Sequence, residues 1–253
     1  MTQKSAALVT GAGKRLGRAM ALALAQDGFP VVVHYNSSAD DAERVVSEIV
    51  QNGGKACHLQ ANLGNEHETH TLIERSKAAL GPLSLLINSA SLFESDDIET
   101  MSRTSWEEHI ETNLRAPLKL TQDFAAQAID GDNNLVVNLI DQRVLKLTPQ
   151  FLSYTTSKAA LLTLTKTLAQ ALAPKGIRVN GIGPGPTLRN KRQSEEDWQR
   201  QNEATPLGKG AGPDDIVAAL RYLIHARPVT GQMIAVDGGQ HLTWQTPDVL
   251  VNE

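Results

Sequence analysis

The 253-residue sequence contains one cysteine, Cys57. An internal disulfide is therefore impossible, and Cys57 has no second thiolate with which to build a zinc site; within its strand-like run it reads as a small buried hydrophobe. Long apolar runs are also missing. None approaches the roughly 20 residues that a membrane-spanning helix needs, so insertion into a bilayer is not expected. Positive charge is not in excess: 24 Lys and Arg stand against 28 Asp and Glu, a net charge of −4. Binding to a nucleic-acid phosphate backbone requires a clustered basic face, which this balance does not supply. No separate apolar leader precedes the first glycines of MTQKSAALVTGAG. With the lone cysteine, this points to the cytoplasm. Internal repeats and low-complexity tracts are absent as well.

What is present is an alternation. Short apolar runs recur at AALVT (6–10), VVVHY (31–35), ACHLQ (56–60), SLLIN (84–88), LVVNLI (135–140), IRVNGIG (177–183) and MIAVD (233–237). Between them lie segments such as RAMALALAQDG and DAERVVSEIVQNGG, with apolar residues every three or four positions and terminal Gly. That spacing predicts amphipathic helices between seven strands. Strand and helix in alternation imply one α/β domain over 1–253, a Rossmann-type doubly wound fold whose seven-stranded parallel sheet is flanked by helices on both faces. One stretch interrupts the rhythm. Residues 185–212 are polar and bounded by Gly and Pro, which reads as a substrate loop with a short helix around 195–202.

TGAGKRLG (10–17) follows the first strand and opens the first helix. A backbone that turns sharply, admits a pyrophosphate to its amides and packs a helix start on the sheet suits Gly11, Gly13 and Gly17. Lys14, Arg15 and Leu16 fill the turn between them. At the end of the second strand an acidic residue would repel a ribose phosphate, but His34, Tyr35, Asn36 and Ser37 are all non-acidic. With Lys14 and Arg15 nearby, the expected cofactor is NADPH/NADP+. Ser37 and Ser38 can equally begin the next helix. Asn88, Ser89 and Ala90 close the fourth strand, at the sheet end where ligands of such folds lie.

SYTTSKAALLTLTKTLAQAL (153–172) is a strong helical pattern that places Tyr154 and Lys158, four apart, on one face. A phenol beside an ammonium can pass a proton near neutral pH. The same pair also occurs on ordinary surface helices.

These elements, with Asn113 in EEHIETNLRAPLKLT, IRVNGIGPG (177–185) and VTGQMIAVDGG (229–239), occur in the order of the short-chain dehydrogenase/reductase family, which the chain resembles over essentially its whole length. The resemblance implies that Tyr154 is the acid, that Lys158 holds the nicotinamide ribose and lowers the tyrosine pKa, and that Asn113 orders a water. It extends the cofactor site to Asn62, Leu63, Pro184 and Gly185, with the Asn62 carbonyl accepting where an aspartate is common. Two positions depart from the general pattern. Asp141 stands where most members carry a serine, and Arg15 where most carry the middle glycine of the turn. Both are similar to pteridine reductases, as are the HY pair at 34–35 and the aromatic of NSASLF.

A pterin gives the departures a chemical reason, because reducing a ring C=N bond requires a proton at nitrogen, which a carboxylic acid can relay. The resemblance thus implies an NADPH-dependent reduction of a dihydropterin, with Asp141 and Tyr154 in the proton relay, Arg15 over the pyrophosphate, Phe93 stacking the ring, and Ser91 touching it. The alternatives are a carbonyl substrate, keto-acyl or sugar-like, with Asp141 incidental, and a non-catalytic NADP-binding regulator. The family implies a homotetramer with helices around 103–129 and 153–174 at one interface, and the apolar tail 240–253, including Trp244, over a neighbouring pocket. No metal site is expected.

Overall fold

The computed structural model describes residues 4–128, 133–190 and 192–246. Seven parallel strands form one sheet: β1 (Ala6–Val9), β2 (Val31–Tyr35), β3 (Ala56–Gln60), β4 (Leu83–Asn88), β5 (Leu135–Leu139), β6 (Arg178–Pro184) and β7 (Met233–Val236). Their order is β3-β2-β1-β4-β5-β6-β7. The chain first winds outward from β1 in one direction, then returns to β4 and winds in the other. The crevice at the carboxyl ends of β1 and β4 is therefore the place where such a sheet receives a ligand.

The strands are near-continuous Val, Leu, Ile and Ala because both faces are covered. Val9, Val33, Ile87 and Val137 pack beneath α1 (Arg15–Gln26), α2 (Ala39–Gln51) and α8 (Pro213–His225). Leu8, Val32, Leu86 and Val136 point the other way, against α3 (Glu66–Leu80), α5 (Ala116–Gln127) and α6 (Leu152–Leu172). The period of two assigns each strand's side chains to opposite cores. Leu8 is fully buried, so Leu8→Ala should cost about 2–5 kcal/mol through lost transfer energy and a residual cavity.

The strands lie where the sequence placed them, within a residue or so at each end. Cys57 differs from its expectation: it is only half-buried, because β3 is an edge strand. The helix expected through Asn113 is interrupted. After α4 (Arg103–Ile110), residues Glu111–Arg115 form a single π turn before α5. Pro117 supplies no N–H to the Asn113 carbonyl, four residues back, and the ladder widens there. In the 185–212 segment, α7 spans Glu195–Glu203, capped by the Ser194 hydroxyl accepting from the Asp197 amide. No described helix is long and apolar enough to cross a membrane.

Candidate active site

A cleft of about 910 Å³ opens at the carboxyl ends of the central strands. Its floor is the glycine-rich turn. A Cβ on Gly17 would lie 2.2 Å from the Gly11 carbonyl oxygen, and one on Gly11, at φ +64°, would lie 2.9 Å from the Ala90 Cα. The turn therefore admits no side chain at either place, and its backbone faces open cleft. The residue before α1, Lys14, has no side-chain cap, and no acidic residue occupies the first helical turn. Uncapped N–H groups at the positive end of a helix suit a phosphate. His34 holds the turn from below: its Nδ1 accepts from the Gly11 amide at 3.0 Å while Nε2 bonds the Ala61 carbonyl at 3.0 Å. Burial, partly offset by that Ala61 bond, pushes His34 down to about 4, so the imidazole is neutral. These features fit a dinucleotide.

Leu16, Tyr35, Asn36, Ser37, Leu63, Ser89, Pro184 and Gly185 line the same cleft. Lys14, expected to supply positive charge, pairs with Asp41 at 2.6 Å. Arg44 shares that carboxylate, and the Lys14 bond holds Asp41 below its ordinary range. The cationic edge is thus two bases around one acid. Asn62 accepts from the Gly64 amide at 2.9 Å, which uses one of the two lone pairs on its oxygen. Asn88, expected to face the cofactor, is buried behind the cleft and donates to Asn138 at 2.8 Å.

Arg15 has φ +51°, a backbone region where an L residue is uncommon and glycine is at ease. Its guanidinium reaches across to the Leu188 and Arg189 carbonyls at 2.8 and 2.9 Å.

Asp141 and Tyr154 meet. The Tyr154 hydroxyl donates to Asp141 Oδ2 at 2.8 Å, and Asp141 Oδ1 accepts from the Arg143 amide at 2.8 Å. Asp141 therefore caps the short 3₁₀ turn Gln142–Val144 and also engages the phenol. Burial, opposed by the Arg143 and Tyr154 bonds, raises the Asp141 carboxyl. Burial followed by the adjacent Asp141 charge raises the Tyr154 phenol well above 10. The expected lowering of the tyrosine by Lys158 is not found. Lys158 donates to the Leu139 carbonyl at 2.7 Å, and its ammonium lies 5.8 Å from the phenol ring centre. Its own pKa is lowered by burial to about 8, with Asp141 opposing.

Asn113 is fully buried and does not reach the cleft. Its Nδ2 donates to the Leu92 carbonyl and the Ser157 hydroxyl, and its Oδ1 accepts from the Leu92 amide and the Ser91 hydroxyl. All four positions of the amide are used, so the side chain itself is not free to order a water. Pro117, lacking an N–H, gives the Asn113 main-chain carbonyl no α-helical donor.

Phe93 lines the cleft, but its ring is stacked on Phe151 at 4.5 Å and 12°, and it lies edge-on to Tyr154 at 4.6 Å. The guanidinium of Arg192 sits 5.6 Å from the Phe93 ring, and that of Arg143 sits 5.0 Å from Phe151. Sequence reasoning missed Phe151, Arg143 and Arg192. The first two flank Asp141 and Tyr154 in sequence, a usable signal; Arg192 comes from the distant loop and carried none. Among the described residues no group of His, Cys, Asp and Glu could hold a metal.

A model of the short chain dehydrogenase family matches residues 5–200. The chain is 32% identical over 240 residues to a 3-oxoacyl-[acyl-carrier-protein] reductase of Staphylococcus epidermidis, spanning 93% of this chain and 98% of that protein. Among solved structures it is similar to FolM alternative dihydrofolate reductase 1 from Brucella canis, complexed with NADP, at TM-score 0.94 and 44% identity, covering 98% of both chains. The Brucella suis protein of that name, also with NADP, is 45% identical at TM-score 0.94, covering 98% of this chain and 99% of that one.

Proposed function

The chain belongs to the short chain dehydrogenase family, and from that premise we propose that it is an NADPH-dependent reductase converting a 7,8-dihydropterin to the tetrahydropterin. The observation that carries this reading is the 2.8 Å hydrogen bond from Tyr154 to Asp141. A carbonyl reductase needs a neutral donor for the ketone oxygen at this place, whereas a ring C=N bond requires a proton delivered to nitrogen. Asp141, raised by burial, can hold that proton and be resupplied through the phenol. The greater identity to the two FolM proteins than to the acyl-carrier-protein reductase supports the same substrate class.

NADPH, when bound, supplies the hydride, and the proton and hydride add across the C=N bond. The glycine-rich turn and the N-terminus of α1 would hold the pyrophosphate, and Lys14 and Arg44, which share Asp41, would face the ribose phosphate. Lys158 would anchor the nicotinamide ribose. Ser91, Phe93 and Arg15 shape the pterin pocket, and for Phe93 to stack a pterin its ring must part from Phe151. Asn113 fixes Ser91 and Leu92 through its side chain and holds a relay water on its carbonyl.

A carbonyl substrate is the second reading, supported by the 3-oxoacyl reductase relatives. NADPH oxidation with 7,8-dihydrobiopterin or 7,8-dihydromonapterin, beside a ketone panel, separates the two: ketone turnover without pterin turnover overturns the first. We also propose a cytoplasmic homotetramer with the α4–α5 and α6 faces at one interface, which a light-scattering mass of one chain would refute. Trp244 is 64% exposed, consistent with a tail that covers a neighbour; residues 247–253 lie outside the described residues. Truncation after Gly239 should weaken assembly or substrate affinity.

A further inference from the structure

Helix α6 carries both Tyr154 and Lys158, yet it starts without a cap of its own. The residue at its N-cap, Phe151, has no side-chain oxygen and sits at φ +58°. A helix leaves its first N–H groups unpaired, and a buried helix start must find acceptors elsewhere. For Leu152 and Ser153 they come from one residue, 56 and 57 positions earlier in the chain. The Asp96 carbonyl accepts from the Leu152 amide at 3.2 Å, and Asp96 Oδ1 accepts from the Ser153 amide at 3.0 Å.

Asp96 is itself held firmly. It is 4% exposed, and its other oxygen accepts from the Ser105 hydroxyl on α4 at 2.9 Å. The Ser105 carbonyl pairs with His109 Nδ1 at 2.7 Å, and His109 Nε2 accepts from the Glu94 amide at 3.2 Å. His109 thus ties α4 back to the segment bearing Phe93, and its ring stands edge-on to that of Tyr154 at 6.4 Å. Phe93 lies three residues before Asp96, and Ser153 one before Tyr154. The bond between Asp96 and Ser153 therefore spans the two segments that bring Phe93 and the phenol together.

We propose that Asp96 is a positioning residue for the reaction: by capping α6 from the β4–α4 connection, it sets the Tyr154 hydroxyl and the Phe93 ring in register with each other. This rests on Tyr154 being the proton donor, a role common to the pterin and carbonyl readings. The carboxylate also places a negative charge at the positive end of a 21-residue helix, which disfavours phenolate at Tyr154. The other charged or titratable groups facing that phenol are Asp141 and Arg143 after β5, Lys158 on α6 and His109 on α4.

Three proteins decide it: the parent, Asp96→Asn and Asp96→Ala, each assayed with NADPH and whichever substrate, dihydropterin or ketone, the parent turns over. A wrong substrate class then appears in the parent and leaves the comparison intact. If the parent turns over neither, the Tyr154 phenol is titrated by ultraviolet absorbance against a Tyr154→Phe control. Asp96→Ala should lose roughly tenfold to a hundredfold in kcat with a raised substrate KM and an unchanged NADPH KM, as expected for misplaced reacting groups. Asp96→Asn keeps the acceptor and loses the charge. It should restore most of kcat while moving the alkaline limb, or the phenol titration, down by about half a pH unit. If Asp96→Ala does not fold, Asp96→Asn still decides through that limb. Variants that lose melting temperature while the folded protein keeps the parent's kcat, substrate KM and alkaline limb would overturn the proposal and leave Asp96 a structural cap.

Discussion

One oxygen of Asp141 is fixed by the Arg143 amide and the other receives the Tyr154 hydroxyl, each at 2.8 Å. The carboxyl is thus oriented by the backbone of its own turn and coupled to the phenol on α6, so neither group titrates alone. Burial raises both. A proton shared between them is held at the wall of the cleft.

Replacing that carboxyl tests the relay. Asp141→Asn preserves an oxygen for the Arg143 amide but cannot hold a transferable proton, so dihydropterin turnover should fall roughly a hundredfold to ten-thousandfold, the usual range for a lost general acid. Asp141→Ser should lose the pterin reaction to a similar degree. NADPH affinity, measured by fluorescence titration, should be unchanged in both. Pterin turnover within threefold of the parent would mean that the hydrogen bond is structural.

Lys158 supplies a contrasting case, in which activity and stability oppose each other. Its pKa falls from 10.5 in the unfolded chain to about 8 when buried. Below pH 8 it is charged in both states, and the folded state carries a penalty of about 3 kcal/mol, which disappears as pH rises from 8 to 10.5. Lys158→Met removes that penalty and forfeits the bond to the Leu139 carbonyl, worth about 1 kcal/mol. The variant should therefore be inactive, yet more stable than the parent at pH 7, with the advantage gone by pH 10. Urea unfolding at the two pH values measures this; a destabilised variant at pH 7 would contradict the burial argument.

The strands were legible because a doubly covered parallel sheet makes them short continuous apolar runs, as VVVHY and LVVNLI are. Asp141, Tyr154 and Lys158 were legible because α6 and the preceding turn keep them within 18 positions of one another. Phe151, Arg192 and Asp96 were not. Their roles arise from contacts between the β4–α4 connection, the start of α6 and the 185–212 loop, and no periodicity encodes such meetings. The π turn was not anticipated, although Pro117 carried a signal for it, since a proline inside a helical pattern removes one ladder bond. The hidden pairing of Lys14 with Asp41 follows from the first turn of α2 packing beside the glycine-rich turn, where a Cβ added to Gly13 would lie 3.4 Å from the Asp41 Cβ.

Acid should loosen the glycine-rich turn through His34. In the unfolded chain this histidine takes up a proton near pH 6.5, but in the fold it resists until about pH 4. Neutral above 6.5 in both states, it costs nothing there. Between 6.5 and 4 the unfolded state alone binds the proton, and stability falls by up to about 3 kcal/mol. Urea midpoints at pH 7, 5.5 and 4.5 should drop in step, with a shallower decline in His34→Gln. An equal decline in that variant would assign the acid sensitivity elsewhere.

The 185–212 loop is tied to both walls of the cleft, by Arg15 to the Leu188 and Arg189 carbonyls and by Arg192 to Glu94 at 2.5 Å and the Phe93 carbonyl at 2.7 Å. These are solvent-exposed contacts, and exposed ion pairs contribute about 0–1 kcal/mol to global stability. Their effect should therefore appear locally. Arg192→Ala should leave the melting temperature within about 2 °C of the parent, speed amide exchange at 188–194 and raise substrate KM, because the loop edge no longer holds the Phe93 segment. Arg15→Gly separates the guanidinium from its backbone. Glycine relieves the strain of φ +51°, worth up to about 1 kcal/mol, so the variant should be no less stable than the parent yet show the faster loop exchange. NADPH affinity, followed by fluorescence titration, tests whether this guanidinium also serves the cofactor: a weaker binder is the expected result. Slower exchange, or exchange unchanged in both variants, would show that the loop is held by its own α7 packing, with the two arginines serving only their ligands.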